Sequence, residues 1–327
     1  MNQFIIIKNK QIRSDKNIFK LFDSIGGVIR VIILEKKFLK NKNYWGFYYG
    51  GGIGDLITFA KITDELCKQR GGDIVFLFGP KNFAWIQDLL LSKRIHYISQ
   101  KKISQHTLRF LSWERTYPKP GLLCPMHPWW LTSINAYFRK TLLDSFLIYL
   151  GLHPETVPEN LRLPNRKEIV KAEAFMKQNS LPVGKTAFLF PLAFSVPNLN
   201  DENFGWNFII SELISYGLTI AINGDDRIYI KNDMGGKIKK IFPPLSLVRS
   251  LAALDNVFIC RRSGIADLLI GSSNNLIVVY GMEPIKPSLS EYSRYSLQLM
   301  KMGDRVTEIS SNRWWEDVLK NIIYMAS

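Results

Sequence analysis

The sequence predicts an α/β protein built from two similar halves, each with a parallel sheet between helices. Short apolar strands alternate with helices along most of the 327-residue chain, and this alternation is typical of parallel sheets covered on both faces. A stretch with three prolines at 154–164 separates the two series, and the length fits two domains of about 150 residues each. We therefore expect two Rossmann-like domains facing a central cleft, because such sheets bind ligands beyond the carboxyl ends of their strands.

The N-terminal half begins with a basic segment that precedes the first predicted strand. Residues 1–43 hold ten Lys or Arg and three acidic residues, nearly half of the +15 net charge of the whole chain. Two interpretations stay open for this segment. It is either a helix or strand packed on the domain, or a basic amphipathic segment at an anionic membrane surface.

The next elements of the N-terminal half alternate as a parallel sheet requires. An aromatic strand, Tyr44–Tyr49, leads through a run of glycines into a helix from about Leu56 to Gln69. Residues 113–135 are rich in Pro and Trp and are predicted to form a long irregular loop. The remaining predictions are a strand at Ile74–Phe78, a helix at Asn82–Leu91, a strand at Ile95–Ser99 and a helix at Ala136–Leu150.

The C-terminal half repeats this alternation after the proline-rich stretch. We place the domains at 1–160 and 161–310, with a closing helix at 311–327 that packs back on the N-terminal domain. The predicted helices are Arg166–Gln178, Asn203–Tyr216, Pro244–Leu254, Ile265–Gly271 and Trp314–Met325. The predicted strands are Thr186–Phe190, Leu218–Ile222, Val257–Cys260 and Leu276–Tyr280.

Composition narrows the class of protein. The longest apolar runs, Gly27–Leu34 and Phe146–Leu152, are too short to span a membrane. The only apolar patch near the N-terminus precedes its charges, the wrong order for a secretory signal. The cysteines are odd in number and far apart, which favours a reducing cytoplasm over a disulfide framework or zinc site. The basic excess indicates an anionic partner.

A glycine-rich turn at 50–55 follows the first strand and precedes a helix. Gly52 and Gly54 let the backbone turn tightly and approach a ligand, and the helix offers free N–H groups to an anion. The spacing fits neither a dinucleotide fingerprint nor a phosphate-binding Walker loop. Asp55 has two interpretations: it complements the helix dipole, or it is a carboxylate kept ionised as a general base.

A second turn of this kind lies at 259–267 in the other half. Ser263 is a predicted helix cap, and Gly264 lets a phosphate approach the helix end. Arg262 suits a two-pronged clamp on a diphosphate, and Asp267 lies in the first turn of the helix. A purely structural strand-to-helix turn is the alternative interpretation.

The order of these motifs resembles one family. Four motifs occur in the same order as in that family: Gly54-Asp55 after a strand, Pro191–Ser195, Asn223-Gly224-Asp225 and Arg262–Asp267. In these motifs the chain resembles the heptosyltransferase-like glycosyltransferases (family 9 and its relatives) of bacterial lipopolysaccharide and surface-polysaccharide synthesis. The resemblance covers about residues 44–327 in order and spacing, and close matches are confined to short stretches. It implies the GT-B architecture, with an N-terminal acceptor-binding domain and a C-terminal domain that binds a nucleotide sugar.

The resemblance also implies roles for individual residues. Asp55 matches the family's catalytic base, and Ser195 lies in the loop that contacts donor phosphate. Ser263–Gly264 matches the stretch that holds the donor nucleotide and diphosphate. Within that stretch Arg262 replaces an acid and Asp267 replaces a histidine, which is compatible with a nucleotide sugar other than ADP-heptose.

Further contacts follow from the same resemblance and from position. Asn223 and Asp225 are expected to contact the base or ribose of the donor. No Asp-x-Asp triplet occurs, so we expect a metal-independent enzyme without cofactor, whose leaving group is stabilised by a helix dipole and cations. The resemblance implies that the transfer is inverting. The expected acceptor-side residues are Gly52, Gly54, His127 and Arg139.

The expected partners are a nucleotide sugar, a glycolipid or oligosaccharide acceptor, and an anionic inner-membrane surface touched by the basic N-terminal region. Two rival classes remain. An NAD-dependent oxidoreductase would need a complete glycine fingerprint and a ribose-binding acid, for which Asp73 is a weakly placed candidate. A nucleic-acid-binding protein would account for the charge, but no zinc finger, RNA-binding motif or basic recognition helix is present.

Overall fold

A computed structural model describes most of the chain. The described residues are 26–49, 52–101, 107, 117–126, 141–193, 199, 202–223, 236–272, 275–281, 284–286, 289–303 and 306–326. Within these ranges, no helix is both long enough and apolar enough to cross a membrane.

The N-terminal half folds around one parallel sheet. Its described strands are β1 (Tyr44–Tyr48), β2 (Ile74–Gly79), β3 (Ile95–Ser99) and β4 (Leu123–Pro125). They lie in the order β3-β2-β1-β4, and every pair is parallel. Phe47, in the central strand, is in register with Leu77 on one side and Cys124 on the other. The predicted alternation of strand and helix is thereby confirmed in this half.

Helices cover both faces of this sheet. The described helices are α1 (residues 26–38), α2 (Ile53–Arg70), a 3₁₀ helix (Lys81–Leu89) and α3 (Leu142–Leu150). Side chains of β1 alternate between the two faces: Phe47 packs in the core beneath α2, whereas Tyr48 packs beneath α1. Of the two interpretations of the basic segment, its described part is a helix packed on the domain.

The C-terminal half contains a larger parallel sheet. Its described strands are β5 (Thr186–Phe190), β6 (Thr219–Ile222), β7 (Ile238–Lys240), β8 (Val257–Arg261), β9 (Leu276–Val279) and β12 (Val306–Ile309). They lie in the order β12-β9-β8-β5-β6-β7. A short antiparallel pair, β10 (Pro284–Lys286) with β11 (Leu289–Ser290), lies outside it. The described helices are α4 (Arg166–Gln178), α5 (Glu202–Ser215), α6 (Leu245–Ala252), α7 (Gly264–Leu269), α8 (Glu291–Tyr295) and α9 (Trp314–Ala326).

The closing helix α9 packs against α5 of its own half of the molecule. Its buried Trp314 lies against Trp206 of α5, with ring centroids 4.9 Å apart. A Cβ at Gly205 would lie 2.4 Å from the Trp314 ring, so the absent side chain makes room for the indole. Both partners of this contact belong to the C-terminal half, and packing of the closing helix on the N-terminal domain stays a prediction.

The two halves meet along α2 and α7. Arg294 of α8 crosses the junction and donates to the Thr141 carbonyl at 2.9 Å and to Ser145 Oγ at 2.6 Å. At the surface, Lys301 Nζ lies 3.1 Å from Glu155 Oε2. These contacts fix the spacing between the two sheets, and with it the shape of the site at their facing edges.

Candidate active site

The turn between β1 and α2 places Asp55 at the mouth of the cleft. Gly52 caps the helix in an extended conformation (φ −83°, ψ 168°). The Gly52 N–H donates to Asp55 Oδ2 at 2.7 Å, which fixes the carboxylate over the helix end. The positive end of an 18-residue helix favours the ionised form of a carboxylate held there. The geometry is therefore compatible with both sequence interpretations of Asp55.

The turn between β8 and α7 presents a second helix end to the same space. Ser263 precedes the helix in an extended conformation (φ −158°, ψ 174°) and makes no side-chain cap. Its Oγ is buried and has no hydrogen-bond partner among the described residues. A buried hydroxyl without a partner carries a desolvation cost unless a ligand or water satisfies it.

The two glycine turns touch each other. A Cβ on Gly264 would lie 2.2 Å from Ile53 Cγ2 and 2.7 Å from Gly54 N. A Cβ on Gly54 would lie 2.2 Å from Asp267 Oδ2. Only glycine fits at either position, because real Cβ atoms do not approach other atoms this closely. The sequence indicated close approach to a ligand at these glycines, whereas here they approach one another across the two halves.

A small cavity opens beside this contact. Its volume is about 130 Å³, and its walls come from both halves of the molecule. Asp55 and Ser263 line it together, so the expected base and the unsatisfied hydroxyl face one space. The other lining residues are Gly52, Ile53, Gly54, Leu142, Arg262, Gly264, Asp267 and Tyr295.

Arg262 is held in an ion pair with Asp267 inside this wall. The two charges are joined by hydrogen bonds of 2.7 and 2.9 Å, and both side chains are buried. The guanidinium also donates to the carbonyls of Tyr295 and Ser263, each at 2.8 Å. Four of its five N–H groups are thus engaged, and within the described residues one on Nη2 remains for a ligand.

Besides Asp267, the charged and polar groups behind the cavity include Lys61 and Tyr49, which the sequence pattern did not single out. Burial raises the pKa of Asp267, and the Arg262 guanidinium opposes that rise. Burial lowers the pKa of Lys61 to about 8, and Asp267 counteracts part of the drop. Burial, reinforced by Asp55, raises the pKa of Tyr49 to about 12, so its hydroxyl keeps its proton at neutral pH. Lys61 follows Gly54 by seven residues, and this helical spacing was the available signal for a shared face.

The remaining expected residues are dispersed or undescribed. Asn223 lies at the end of β6, where its N–H donates to the Leu189 carbonyl at 2.9 Å, and it does not line the small cavity. Its contact with a donor base or ribose stays a prediction. The residues that fall outside the described ranges are Ser195, Asp225, His127 and Arg139.

A larger cavity lies elsewhere along the junction of the two halves. Its volume is about 810 Å³, and Val157, Leu163, Ile270 and Met302 contribute to its walls. It contains none of the charged or hydroxyl residues expected to act in chemistry. Volume alone does not identify a reacting centre, so the smaller cavity with Asp55 and Ser263 is the candidate site.

Comparison with known proteins gives a likeness of fold without a match in sequence. No protein-family model matches the chain, and no curated protein matches it. The solved structure of Escherichia coli ADP-heptose LPS heptosyltransferase II is similar, with a TM-score of 0.58 and 10% identity. The match covers 86% of this chain and 99% of that one.

Two other solved structures give a similar picture. The iron-containing dodecameric glycosyltransferase TibC of enterotoxigenic E. coli H10407 matches with a TM-score of 0.54 and 13% identity, over 88% of this chain and 78% of that one. E. coli heptosyltransferase WaaC with ADP matches with a TM-score of 0.51 and 12% identity, over 87% of this chain and 100% of that one. The chain therefore has the GT-B fold, as its motifs predicted, and within that class its likeness is to heptosyltransferase structures.

Proposed function

We propose that this protein is an inverting, metal-independent glycosyltransferase, which moves a sugar from a nucleotide-sugar donor to a glycolipid or other surface-glycan acceptor. One observation carries the proposal. Asp55, over the end of α2, and the buried Ser263 hydroxyl, at the end of α7, line one cavity between two halves of a GT-B fold. A carboxylate and an anion-binding helix end on either side of a small space suit transfer from a diphosphate.

Asp55 acts as the general base in this proposal. An acceptor hydroxyl gives its proton to the carboxylate while its oxygen forms a bond to the anomeric carbon. The bond from that carbon to the diphosphate oxygen breaks at the same time, and the pair of electrons leaves with the diphosphate. The Gly52 N–H at 2.7 Å aims the carboxylate and keeps it ionised until the transfer.

Ser263 and the end of α7 stabilise the departing diphosphate. The Ser263 hydroxyl, unpartnered within the described residues, is available to donate to a phosphate oxygen. Arg262 contributes through the one N–H that the described residues leave unengaged, because Asp267 and two carbonyls hold the other four. The positive charge of Arg262 is thus largely balanced, and hydrogen bonding rather than net charge dominates at this point.

The small cavity accounts for the reacting region only. Pockets for whole small molecules measure about 300–1,000 Å³, so the 130 Å³ space suits the diphosphate and its anomeric carbon rather than a complete donor. We assign the donor base or ribose to Asn223 and Asp225, and donor phosphate also to Ser195. The acceptor is assigned to Gly52, Gly54, His127 and Arg139. No metal or cofactor takes part in this scheme.

A thermal-shift screen tests the proposal without knowledge of the acceptor. The ligands are ADP-, GDP-, UDP-, CMP- and CDP-linked sugars, with NAD and NADH for the oxidoreductase alternative. A ligand at about 100 times its Kd stabilises the fold by about 2.7 kcal/mol, a shift of several degrees. We expect a shift with one nucleotide sugar; a shift with NAD or NADH alone, or with nothing, contradicts the proposal.

A further inference from the structure

The helix α1 carries two apolar faces, and within the described part of the chain only one of them is packed. Its inward face includes Val31 and Leu34, which join Tyr48 and Phe78 in a buried cluster. Gly27 extends this face, since a Cβ there would lie 2.1 Å from Thr107 Oγ1. The spacing of these residues along the helix is that of a single stripe.

The opposite face of α1 exposes three isoleucines to solvent. Ile29, Ile32 and Ile33 are 53%, 45% and 56% exposed. Lys36 and Lys37, both exposed, continue the same stripe toward the end of the helix. The five side chains follow the i, i+3, i+4, i+7, i+8 spacing, so they lie on one side of about 12 Å of helix. We call this surface, formed by Ile29, Ile32, Ile33, Lys36 and Lys37, the isoleucine–lysine face.

The charge around the isoleucine–lysine face is mainly positive. Residues 26–43 contain five Lys or Arg and one acidic residue, Glu35. Glu35 Oε1 accepts from the Leu123 N–H at 2.8 Å, so that carboxylate is turned toward the sheet. Lys40 and Lys42, just beyond the helix, are exposed. Apolar side chains bordered by lysines match a surface with an apolar interior and anionic headgroups.

The start of α1 lies toward the end of the sheet that carries the candidate site. Glu35 contacts Leu123, which is in register with Gly46 in the middle of β1. Val31, nearer the start of the helix, packs with Tyr48 and Phe78 toward the carboxyl ends of their strands. The helix thus starts near the sheet edge at which α2 begins and runs away from it, so Ile29 lies at the end of the isoleucine–lysine face that is nearer this edge.

We propose that the isoleucine–lysine face of α1 binds a lipid bilayer containing anionic lipids. The three isoleucines enter the boundary between headgroups and acyl chains, and the lysine stems keep their ammonium groups among the headgroups. The face supplies two signals, apolar area and basic charge, which together hold a protein at a membrane reversibly. A bilayer in this position brings a lipid-linked hydroxyl to the edge of the cleft, although the binding itself does not depend on the proposed function.

Sedimentation with vesicles tests this proposal on the full chain. Vesicles of phosphatidylcholine alone are compared with vesicles that also contain phosphatidylglycerol. We expect binding to the anionic vesicles that weakens with salt. Ile29→Ser/Ile32→Ser/Ile33→Ser should lower the partition coefficient at least about tenfold, and Lys36→Gln/Lys37→Gln about fivefold per charge.

Matched control variants distinguish vesicle binding through this face from non-specific binding by other exposed apolar or basic side chains. Leu163, Val170 and Ile323 are 66%, 53% and 50% exposed on other surfaces, and their triple Ser variant should bind vesicles as the unmodified protein does. Lys167→Gln/Lys171→Gln, on α4, is the charge control. Absence of binding to anionic vesicles, or equal binding by all variants, overturns the proposal. So does a dimer, seen by sedimentation velocity, that the isoleucine variant alone abolishes. If the isoleucine variant still shows a donor-induced thermal shift, its loss of vesicle binding is independent of the proposed transferase function.

Discussion

Arg262 and Asp267 form a buried, two-pronged ion pair within the wall of the cavity, with hydrogen bonds of 2.7 and 2.9 Å. They flank the Ser263–Gly264 turn, so the pair ties the end of β8 to the first turn of α7. The carboxylate of Asp267 also lies against Gly54 of the opposite half. The pair thus sets the position of the unsatisfied Ser263 hydroxyl relative to Asp55.

Removing one member of this pair should destabilise the fold strongly. Arg262→Gln leaves Asp267 buried without its countercharge, and Asp267→Asn does the same to Arg262. Each variant should lose about 3–5 kcal/mol of unfolding free energy, measured by urea denaturation. The double variant Arg262→Met/Asp267→Leu should lose far less unfolding free energy than the two single variants together, because it leaves neither charge of the pair buried without its partner.

A surface pair supplies the control for this cycle. Arg313 and Glu316 lie 3.2 Å apart with their side chains 75% and 38% exposed. Arg313→Gln should change stability by less than about 1 kcal/mol. Strictly additive losses in the Arg262 and Asp267 variants would show that the two charges do not depend on one another.

Gly264→Ala should separate the two halves at the site. The new methyl group would overlap Ile53 and the backbone of Gly54, so the junction must open or α7 must shift. We expect a loss of about 1–3 kcal/mol of stability, typical of overpacking, and weaker donor binding by calorimetry. Gly26→Ala is the control, because nothing lies within 4 Å of the added atom and alanine favours a helix. Normal stability and donor affinity in Gly264→Ala would contradict the close contact.

Ser263→Ala should weaken donor binding without loss of stability. Its Oγ makes no internal hydrogen bond within the described structure, so its removal costs the free protein little. A hydrogen bond to a charged phosphate is worth about 1.5–3 kcal/mol, which corresponds to at least a tenfold rise in Kd by calorimetry. Ser215→Ala, at the end of α5, is the matched control. An unchanged Kd would remove Ser263 from the donor site.

Lys61→Met should give a stability gain that depends on pH. Burial lowers the pKa of Lys61 from 10.5 to about 8. Between about pH 8 and 10.5 the unfolded chain binds a proton at Lys61 that the folded chain does not, so the free energy of unfolding rises with pH in this range. Below about pH 8 both states are protonated, and the buried charge lowers the free energy of unfolding by a constant penalty. The penalty amounts to about 3 kcal/mol, and the advantage of Lys61→Met should therefore shrink by that amount between pH 7.5 and 10.5.

Urea denaturation across that pH range measures the difference. Lys167→Met serves as the control, since the side chain of Lys167 is exposed on α4. A pH-independent difference between Lys61→Met and the unmodified protein would show that burial does not neutralise Lys61.

The sequence was informative wherever local chemistry decides structure. Alternating apolar strands and helices predicted both parallel sheets, because that pattern fits only sheets covered on two faces. Glycine between strand and helix predicted both turns. The sequence pattern did not predict that α2 begins as early as Ile53, nor the three-residue strand β4. Strand β4 forms because it pairs with β1, and its own sequence has no strong strand propensity.

The site itself was harder to predict because its parts are distant in sequence. Gly54 and Gly264 were interpreted as ligand contacts, and nothing local shows that they meet. Arg262 was expected to face a diphosphate, and its pairing with Asp267 depends on a helical turn that brings residue i+5 back. Gly205 leaves the space in which the Trp314 indole packs on α5, and nothing local in the sequence indicates that these two distant residues meet.

Turnover by Asp55→Asn is the most direct test of the central claim. Release of nucleoside diphosphate is measured with the donor identified by thermal shift and a glycolipid acceptor. Asparagine still accepts from the Gly52 N–H but takes no proton. We predict turnover lower by about 10²–10⁴-fold, a donor Kd within a few-fold, and full activity in the surface control Asp73→Asn. Normal turnover in Asp55→Asn would show that Asp55 only caps α2 and would contradict the proposed mechanism.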